Sequence, residues 1–289
     1  NIFGTMIAGR TYQIIDNDSL QSWIGFGARK EVSHTFYDTL AVDSIPINQE
    51  NLRKRVSTVT YEDLDDGDPE TYNHATHYSY DIHGNVKTLL QDNPSVYVFK
   101  QRFKKVDYDY DLISGKVNKV RYQKDSIDQF THKYEYDADN RLTDVFTSSD
   151  GLIWDKDAKY FYYAHGPLAR VEYGNNHVQG MDYAYTIQGW IKGVNSENLQ
   201  AANDMGRDGL PALNNPNAKF AKDAYGYSLT YFQQDYSAIS WTSDSSKRFV
   251  ASQHFAPGDP SDLIHYRHDL YNGNIGTMVN SVLNPQLKV

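Results

Sequence analysis

From about residue 76 the chain alternates. Rings and apolar side chains take every second position, stop at a short polar stretch, then resume. YSYDIHGNV (78–86), YDYDLISGKV (108–117) and YEYDADNRL (134–142) are three such passages. Alternation of this kind marks a half-buried strand, whose successive side chains point to opposite faces. Asp followed by Gly or Asn between two alternating runs predicts a tight turn, because these residues tolerate positive φ or hydrogen-bond the turn backbone.

The second ring of each passage falls at Tyr80, Tyr110, Tyr136, Tyr162 and Tyr185, in steps of 30, 26, 26 and 23 residues. The turn residue falls at Gly84, Gly115, Asn140, Gly166 and Gly189. In three units an Asp follows the ring directly: Asp81, Asp111 and Asp137. After the turns come Val86 and Leu89, Val117 and Val120, Leu142 and Val145, Leu168 and Val171. Each unit is therefore a β-hairpin, and the period is that of a repeat array. A lone hairpin is marginal in water, so each must pair with the next. In this reading Tyr is the inward ring, Asp bonds the turn backbone, and Gly or Asn takes the left-handed position. The expected fold class is all-β, with consecutive antiparallel hairpins in a curved sheet and little helix.

Four segments follow. Residues 1–75 show strand-like alternation without a clear turn signature and are expected to continue the same sheet. Residues 76–195 hold the hairpins. Residues 196–224, rich in Asn, Gly, Pro and Ala, read as an insertion with one helical turn near 218–224. Residues 225–289 return to strands, with YGYSLTYF (225–232) and a last hairpin around Asn272-Gly273, a strong short turn signal.

Composition narrows the class. Apolar residues are 39% of the chain and Tyr alone supplies 24 residues, so much of the interior must be rings that carry a hydroxyl. Such rings suit a thin layered structure where each OH finds a partner or water. The net charge of −9 argues against a nucleic-acid partner. The basic cluster Lys100, Arg102, Lys104, Lys105 reads as the wet face of a strand. There are no cysteines, which removes disulfides, thiolate metal sites and thiol catalysis. No apolar run is long enough for a membrane helix. The chain opens on strand-like residues without Met or a signal peptide, and is expected to be a piece of something longer.

Candidate chemistry is sparse. His74 and His77 have a metal-pair look, but i and i+3 on a strand face opposite ways. His265 and His268 fail for the same reason. The acidic stretch with Asp63, Asp65, Asp66 and Asp68 misses the EF-hand spacing. An irregular calcium site there stays open beside the plainer reading of a solvated loop. No nucleophile elbow, phosphate loop or zinc-protease helix is present. No catalytic, cofactor or metal residues are assigned, and the segment is not expected to be an enzyme. Trp23, Trp154, Trp190, Trp241 and the tyrosines could stack on sugars or pack across strands.

These units resemble the YD repeats of the Rhs and teneurin superfamily. The ordered series YAYTIQGWIKGVN (183–195), DGLP (208–211), AKDAYGYSLTY (221–231) and YNGNI (271–275) resembles the form common in Bacteroidota. The resemblance covers about residues 76–282. It implies hairpins that spiral into a hollow β shell, which in bacterial members often encloses a C-terminal toxin. It also implies a secreted or cell-surface protein, exported by type IX secretion. The family's shell-closing Asp-Pro-x-Gly-Leu signature and self-cleavage site are missing, DPSD (259–262) being the nearest match. The expected function is a structural segment of such a shell, enclosing or displaying a C-terminal domain. The expected partners are the rest of the shell, that domain, and a type IX channel in transit. The alternative is a surface module that binds carbohydrate or mediates adhesion. A sheet cut at its ends also leaves edge strands that invite pairing, so the ends are expected to be covered.

Overall fold

The computed structural model describes residues 3–7, 10–14, 29–40, 44–64, 68, 71–211, 213–232, 234–238, 249 and 270–283. The fold is all-β. Strands β1 (Phe3–Ile7) and β2 (Arg10–Ile14) form an antiparallel pair of their own. The chain divides into two compact units, residues 1–110 with 120–130, and residues 111–119 with 131–289. This division does not follow the segments read from the repeat pattern. Repeats mark hairpins, whereas compactness is set by which hairpins pack together.

In the first unit the sheet order is the chain order: β3 (Lys30–Tyr37), β4 (Val56–Leu64), β5 (His74–Tyr80), β6 (Val86–Asp92), β7 (Phe103–Tyr110). Strand β8 (Val117–Tyr122) contributes residues to both units. The second unit continues in order through β9 (Phe130–Tyr136), β10 (Leu142–Ser148), β11 (Asp155–Tyr162), β12 (Leu168–Tyr173), β13 (Gln179–Tyr185), β14 (Ile191–Val194), β15 (Tyr225–Thr230) and β16 (Thr277–Val282). The ladders with a described register are antiparallel.

The turns form where the alternation breaks. φ is positive at Gly84 (98°), Gly115 (69°), Asn140 (61°), Gly166 (115°), Gly189 (84°) and Gly273 (85°). Asp81 Oδ1 accepts the amides of His83, Gly84 and Asn85 at 2.7–2.9 Å. Asp111 accepts those of Ile113 and Ser114, and Asp137 those of Asp139 and Arg141. These bonds favour the ionised carboxylate and hold all three Asp pKa values below the ordinary range, Asp81 against a desolvation that pushes up. Asn272 repeats the device with the amide of Asn274.

The tyrosine does something alternation alone does not reveal. The hydroxyl of Tyr80 donates to the carbonyl of Val56, and that of Tyr110 to Val86. Tyr136 donates to Val117, Tyr162 to Leu142, and Tyr231 to Ile191, all at 2.7–2.9 Å. Each acceptor is the first residue of the return strand of the preceding hairpin. At Val56, Val86, Leu142 and Ile191 the register slips by one residue directly afterwards, so Ser57, Lys87, Thr143 and Lys192 are extra residues in their strands. A bulge takes its neighbourhood out of the ladder and increases local twist. The tyrosine hydroxyl from the next hairpin fills the hydrogen bond left there. Asp thus closes its own turn, and Tyr ties that turn to the hairpin before it.

The spacing variation sits at the other end of the hairpins. The five turns from Gly84 to Gly189 span five or six residues, while the connections between these hairpins shorten from 93–102 through 123–129 and 149–154 to 174–178. The longest contains a 3₁₀ helix, Pro94–Phe99, closed by Lys100 at φ 56°. This corrects the sequence expectation for the basic cluster. Lys100 caps that helix and Arg102 precedes the strand, so only Lys104 and Lys105 lie on β7. The expected helical turn near 218–224 is also absent. The chain makes turns over 216–219 and then straightens into β15, because Asn215 and Asn217 spend their side chains on loop carbonyls and amides.

Among the described residues, 22 polar or charged side chains are buried against 12 apolar ones, so hydrogen bonding and ring packing carry much of the interior. Paired rings two residues apart stack along the strands, as at Tyr78–Tyr80 and Tyr108–Tyr110. Urea unfolding should therefore show Tyr162→Phe losing about 1 kcal/mol, the net worth of its hydrogen bond. Gly115→Val should lose about 1–2 kcal/mol through left-handed strain. Asn140→Gly should stay within about 0.5 kcal/mol of the parent, because glycine accepts the same conformation.

Candidate functional site

Two buried polar networks stand out, one in each unit. In the first, Thr58 Oγ1 lies 2.9 Å from His77 Nδ1, and His77 Nε2 lies 3.9 Å from Asp92. The residue types are those of a hydrolytic triad, but the arrangement is structural. Asp92 accepts two bonds from the Arg102 guanidinium, at 2.6 and 2.8 Å, and one from the Tyr72 hydroxyl at 2.7 Å. Thr58, His77 and Asp92 are all at most 5% exposed, so no substrate reaches the hydroxyl. The network fastens β4, β5, β6 and the approach to β7. His74 faces the other way and stacks on Tyr61 at 4.6 Å, as its strand spacing from His77 requires.

The second network is more unusual. Strand β12 alternates so that Arg170 and Glu172 share a face, and the register sets Arg170 opposite Asp182 on β13. The Arg170 guanidinium ion-pairs with Asp182 through Nη1, with Asp208 through Nη2 at 2.7 Å, and with Glu172 through Nε at 3.0 Å. It also lies over the Phe220 ring, 4.9 Å from the centroid. Asp204 and Asp208 come from the insertion, where the Asp208 amide donates to Asp204 Oδ2 at 3.2 Å. Asp223, on the approach to β15, sets its carboxyl against that of Asp204. One carboxylate oxygen from each of Asp182, Asp204 and Asp208 lies within 4.8 Å of the others.

These carboxylates are almost dry. Asp204 and Asp208 are 1% exposed, and Asp182 and Asp223 6%. Asp204 Oδ1, Asp208 Oδ2 and Asp223 Oδ1 have no hydrogen-bond partner of ordinary geometry, though the Gly180 amide lies close enough to Asp208 to favour its ionised form. Burial pushes the Asp182 carboxyl up to about 7, against the pull of Arg170. Burial, with Asp204, Asp208 and Asp182 adding repulsion, pushes Asp223 up to about 8. Asp208 is raised for the same first reason. Burial also works against the charge on Arg170, but Asp182 and Asp208 overcome it and hold the guanidinium charged. Glycines make the room: a Cβ at Gly180 would collide with Arg170 and Asp208, and one at Gly206 with Arg170 and Asp182.

The insertion is held on the sheet by several side chains. Asn195, fully buried, accepts the Asp182 amide and donates to the Tyr225 carbonyl, both at 2.9 Å. Glu197 accepts the Ser228 hydroxyl, and its carbonyl accepts that of Ser281. Asn217 donates to the Gly206 carbonyl and Asn215 to the carbonyls of Arg207 and Leu210.

The residues singled out from the repeat, Tyr80 to Gly273, lie at turns and inter-hairpin ties and do not converge on one site. Of the acidic stretch, residues 65–67 lie outside the described residues. So do Trp23, Trp241, His265, His268 and 259–262. Trp190 packs at 5.0 Å on Tyr231 and beside Gly273, and Trp154 lies under Lys133. The carboxylate cluster was not foreseen. Its members are far apart in sequence, and the signal that could have found them is the recurrence of Asp inside the otherwise apolar or glycine-rich motifs DGLP and AKDA.

No protein-family model matches the chain, and no curated protein does. Among solved structures, the chain is similar to the crystal structure of TcdB2-TccC3-Cdc42, at 14% identity and a TM-score of 0.44 over 79% of this chain. It is also similar to TcdB2-TccC3 without its hypervariable C-terminal region, at 12% identity and a TM-score of 0.40 over 69%. The chain spans 10% of the length of each. The likeness concerns fold alone.

Two outcomes follow for the cluster. Arg170→Met should destabilise the protein by about 3–5 kcal/mol, because it strips the cation from buried carboxylates. The groups around Asp223 are Asp204, Asp208 and Asp182, with Arg170 beyond them. The folded pKa of about 8 lies above the ordinary 3.8, so the folded state holds a proton that the unfolded state has lost. That stability is complete below about pH 4 and is lost as pH rises to about 8. Unfolding midpoints measured from pH 5 to 8 should fall, and Asp223→Asn should flatten the slope.

Proposed function

We propose that this chain is a length of wall in a larger Rhs or YD-repeat protein. The observation that carries the reading is the succession of hairpins in chain order, five of them tied by a tyrosine hydroxyl to the first carbonyl of the return strand of the one before. Such a sheet extends by adding like units, and every unit gains its stability from its neighbours. Extension with the same twist at every bulge favours a curved wall that surrounds a space, because each bulge turns its strand in the same sense.

In this reading the segment does no catalysis. It encloses or displays a C-terminal domain, a toxin in many proteins that the repeats resemble, on the outer side of the cell. The motif series 183–231 and 271–275 favours a Bacteroidota-type member exported by type IX secretion. Among the described residues no helix is long and apolar enough to cross a membrane.

The test uses the parent protein from its source. Intact mass and peptide mapping should find polypeptide beyond Val289, ending in a domain without repeats. Under native conditions that domain should resist added protease. It should become cleavable when Tyr110→Phe and Tyr136→Phe together loosen the wall. A terminal domain equally open to protease in both proteins would refute enclosure.

A further inference from the structure

We propose that Asp182, Asp204, Asp208 and Asp223 bind a calcium ion, which pins the insertion 196–224 to the sheet. The cluster stands apart from the inter-hairpin ties and from any role in wall formation already described. Its charge is out of balance: five carboxylates, counting Glu172, surround one guanidinium, and Arg170 engages only Glu172, Asp182 and Asp208.

The unused oxygens point to a ligand. Asp208 gives Oδ1 to Arg170 and leaves Oδ2 bare. Asp204 gives Oδ2 to the Asp208 amide and leaves Oδ1 bare. Asp223 reaches the group from a different part of the chain, is 6% exposed, and leaves Oδ1 bare. A buried carboxylate oxygen without a donor is costly, and several together repel one another. Water does not relieve them, because they are almost sealed. A cation does.

The chemistry selects the ion. Every available donor is oxygen, which suits a hard cation and not zinc or copper. Oxygens of Asp182, Asp204 and Asp208 lie within 4.8 Å of one another, which one ion spans with metal–oxygen bonds of about 2.4 Å, the calcium range, and Asp223 joins the set from beside Asp204. Magnesium keeps several waters and demands octahedral order, which an irregular, buried carboxylate set does not offer. Calcium accepts an irregular set of carboxylates and loop carbonyls. The donors come from β13, from the first half of the insertion and from its end at the lead into β15, so one ion would tie elements that the hairpin repeat does not join. Two of them, Asp208 and Asp223, belong to the motifs DGLP and AKDAYGYSLTY, for which the wall gives no other reason.

Thermal unfolding of the purified 289-residue protein tests this. In a calcium chelator at pH 7.5, replacing the chelator with about 10 mM calcium should raise the midpoint by about 5 °C, for a site of the affinity usual in extracellular modules. Magnesium at the same concentration should give less than half of that. Asp204→Asn and Asp223→Asn each remove a buried carboxyl that Arg170 does not engage, so in chelator each should unfold no earlier than the parent. Each should lose the calcium response, while the exposed control Asp139→Asn keeps it. Titration calorimetry on the unmodified protein should show one site, weakened at least tenfold by either substitution. Absence of a calcium response in the unmodified protein, a response kept by both variants, or an equal response to magnesium would each overturn the proposal. Should a variant fail to fold, the calorimetric titration of the unmodified protein decides, and the absence of a single site there would overturn it.

Discussion

The structure depends on one hydrogen bond, made repeatedly: a tyrosine hydroxyl to a backbone carbonyl released by a bulge. Each hairpin must turn tightly at one end, and the bulge beside the turn supplies the twist. The bulge has a cost, since it removes a carbonyl from the ladder. Tyrosine is the side chain whose reach and donor meet that carbonyl while its ring covers the strand beneath. Phe would cover but not donate, and Ser would donate but neither reach nor cover. Tyr and Asp are adjacent because the same turn needs both jobs done, one inward to the previous hairpin and one along its own backbone. The Tyr hydroxyls are partly desolvated, which raises their pKa values and keeps them as donors.

The interior follows from that choice. A sheet joined by hydroxyl-to-carbonyl ties does not need a thick aliphatic core, and among the described residues more polar than apolar side chains are buried. Buried polar groups then have to be satisfied one by one. At Asp92 the demand is met: that carboxylate is saturated by Arg102 and Tyr72, and it is inert for that reason. In the second unit the demand exceeds the supply. Arg170 serves three carboxylates and leaves Asp204 and Asp223 with oxygens that nothing engages. The difference between a finished network and an unfinished one separates a structural cluster from a candidate binding site.

The insertion gives that cluster its place. The repeat pairs each hairpin with the next, but β14 and β15 are separated by thirty intervening residues, 195–224. Those residues cannot use the tyrosine tie until Tyr231 restores it to Ile191. They rely instead on amide side chains, with Asn195, Asn215 and Asn217 standing in for backbone partners. The dense Asn content of this stretch is thereby explained.

Local chemistry was legible in the sequence. Alternation, Asp at the turn entrance and a residue fit for positive φ are all short-range properties, and the turns at Gly84, Gly115, Asn140, Gly166 and Gly189 followed from them; Gly273 has its positive φ, but the strand after it pairs with β15, and 265–269 lie outside the described residues. The Tyr period announced a repeat without saying what the ring did, because its acceptor lies some twenty residues earlier and exists only once the bulge has formed. The carboxylate cluster was illegible for a stronger reason. Asp182, Asp204, Asp208 and Asp223 are ordinary polar positions in the chain. Only when the insertion folds back over β12 and β13, with Gly180 and Gly206 making room, do four carboxyl groups share one buried site. Strand, turn and period are decided by neighbours in sequence; burial, and the chemistry that burial forces on a charge, is decided only by what the rest of the chain brings to lie on top.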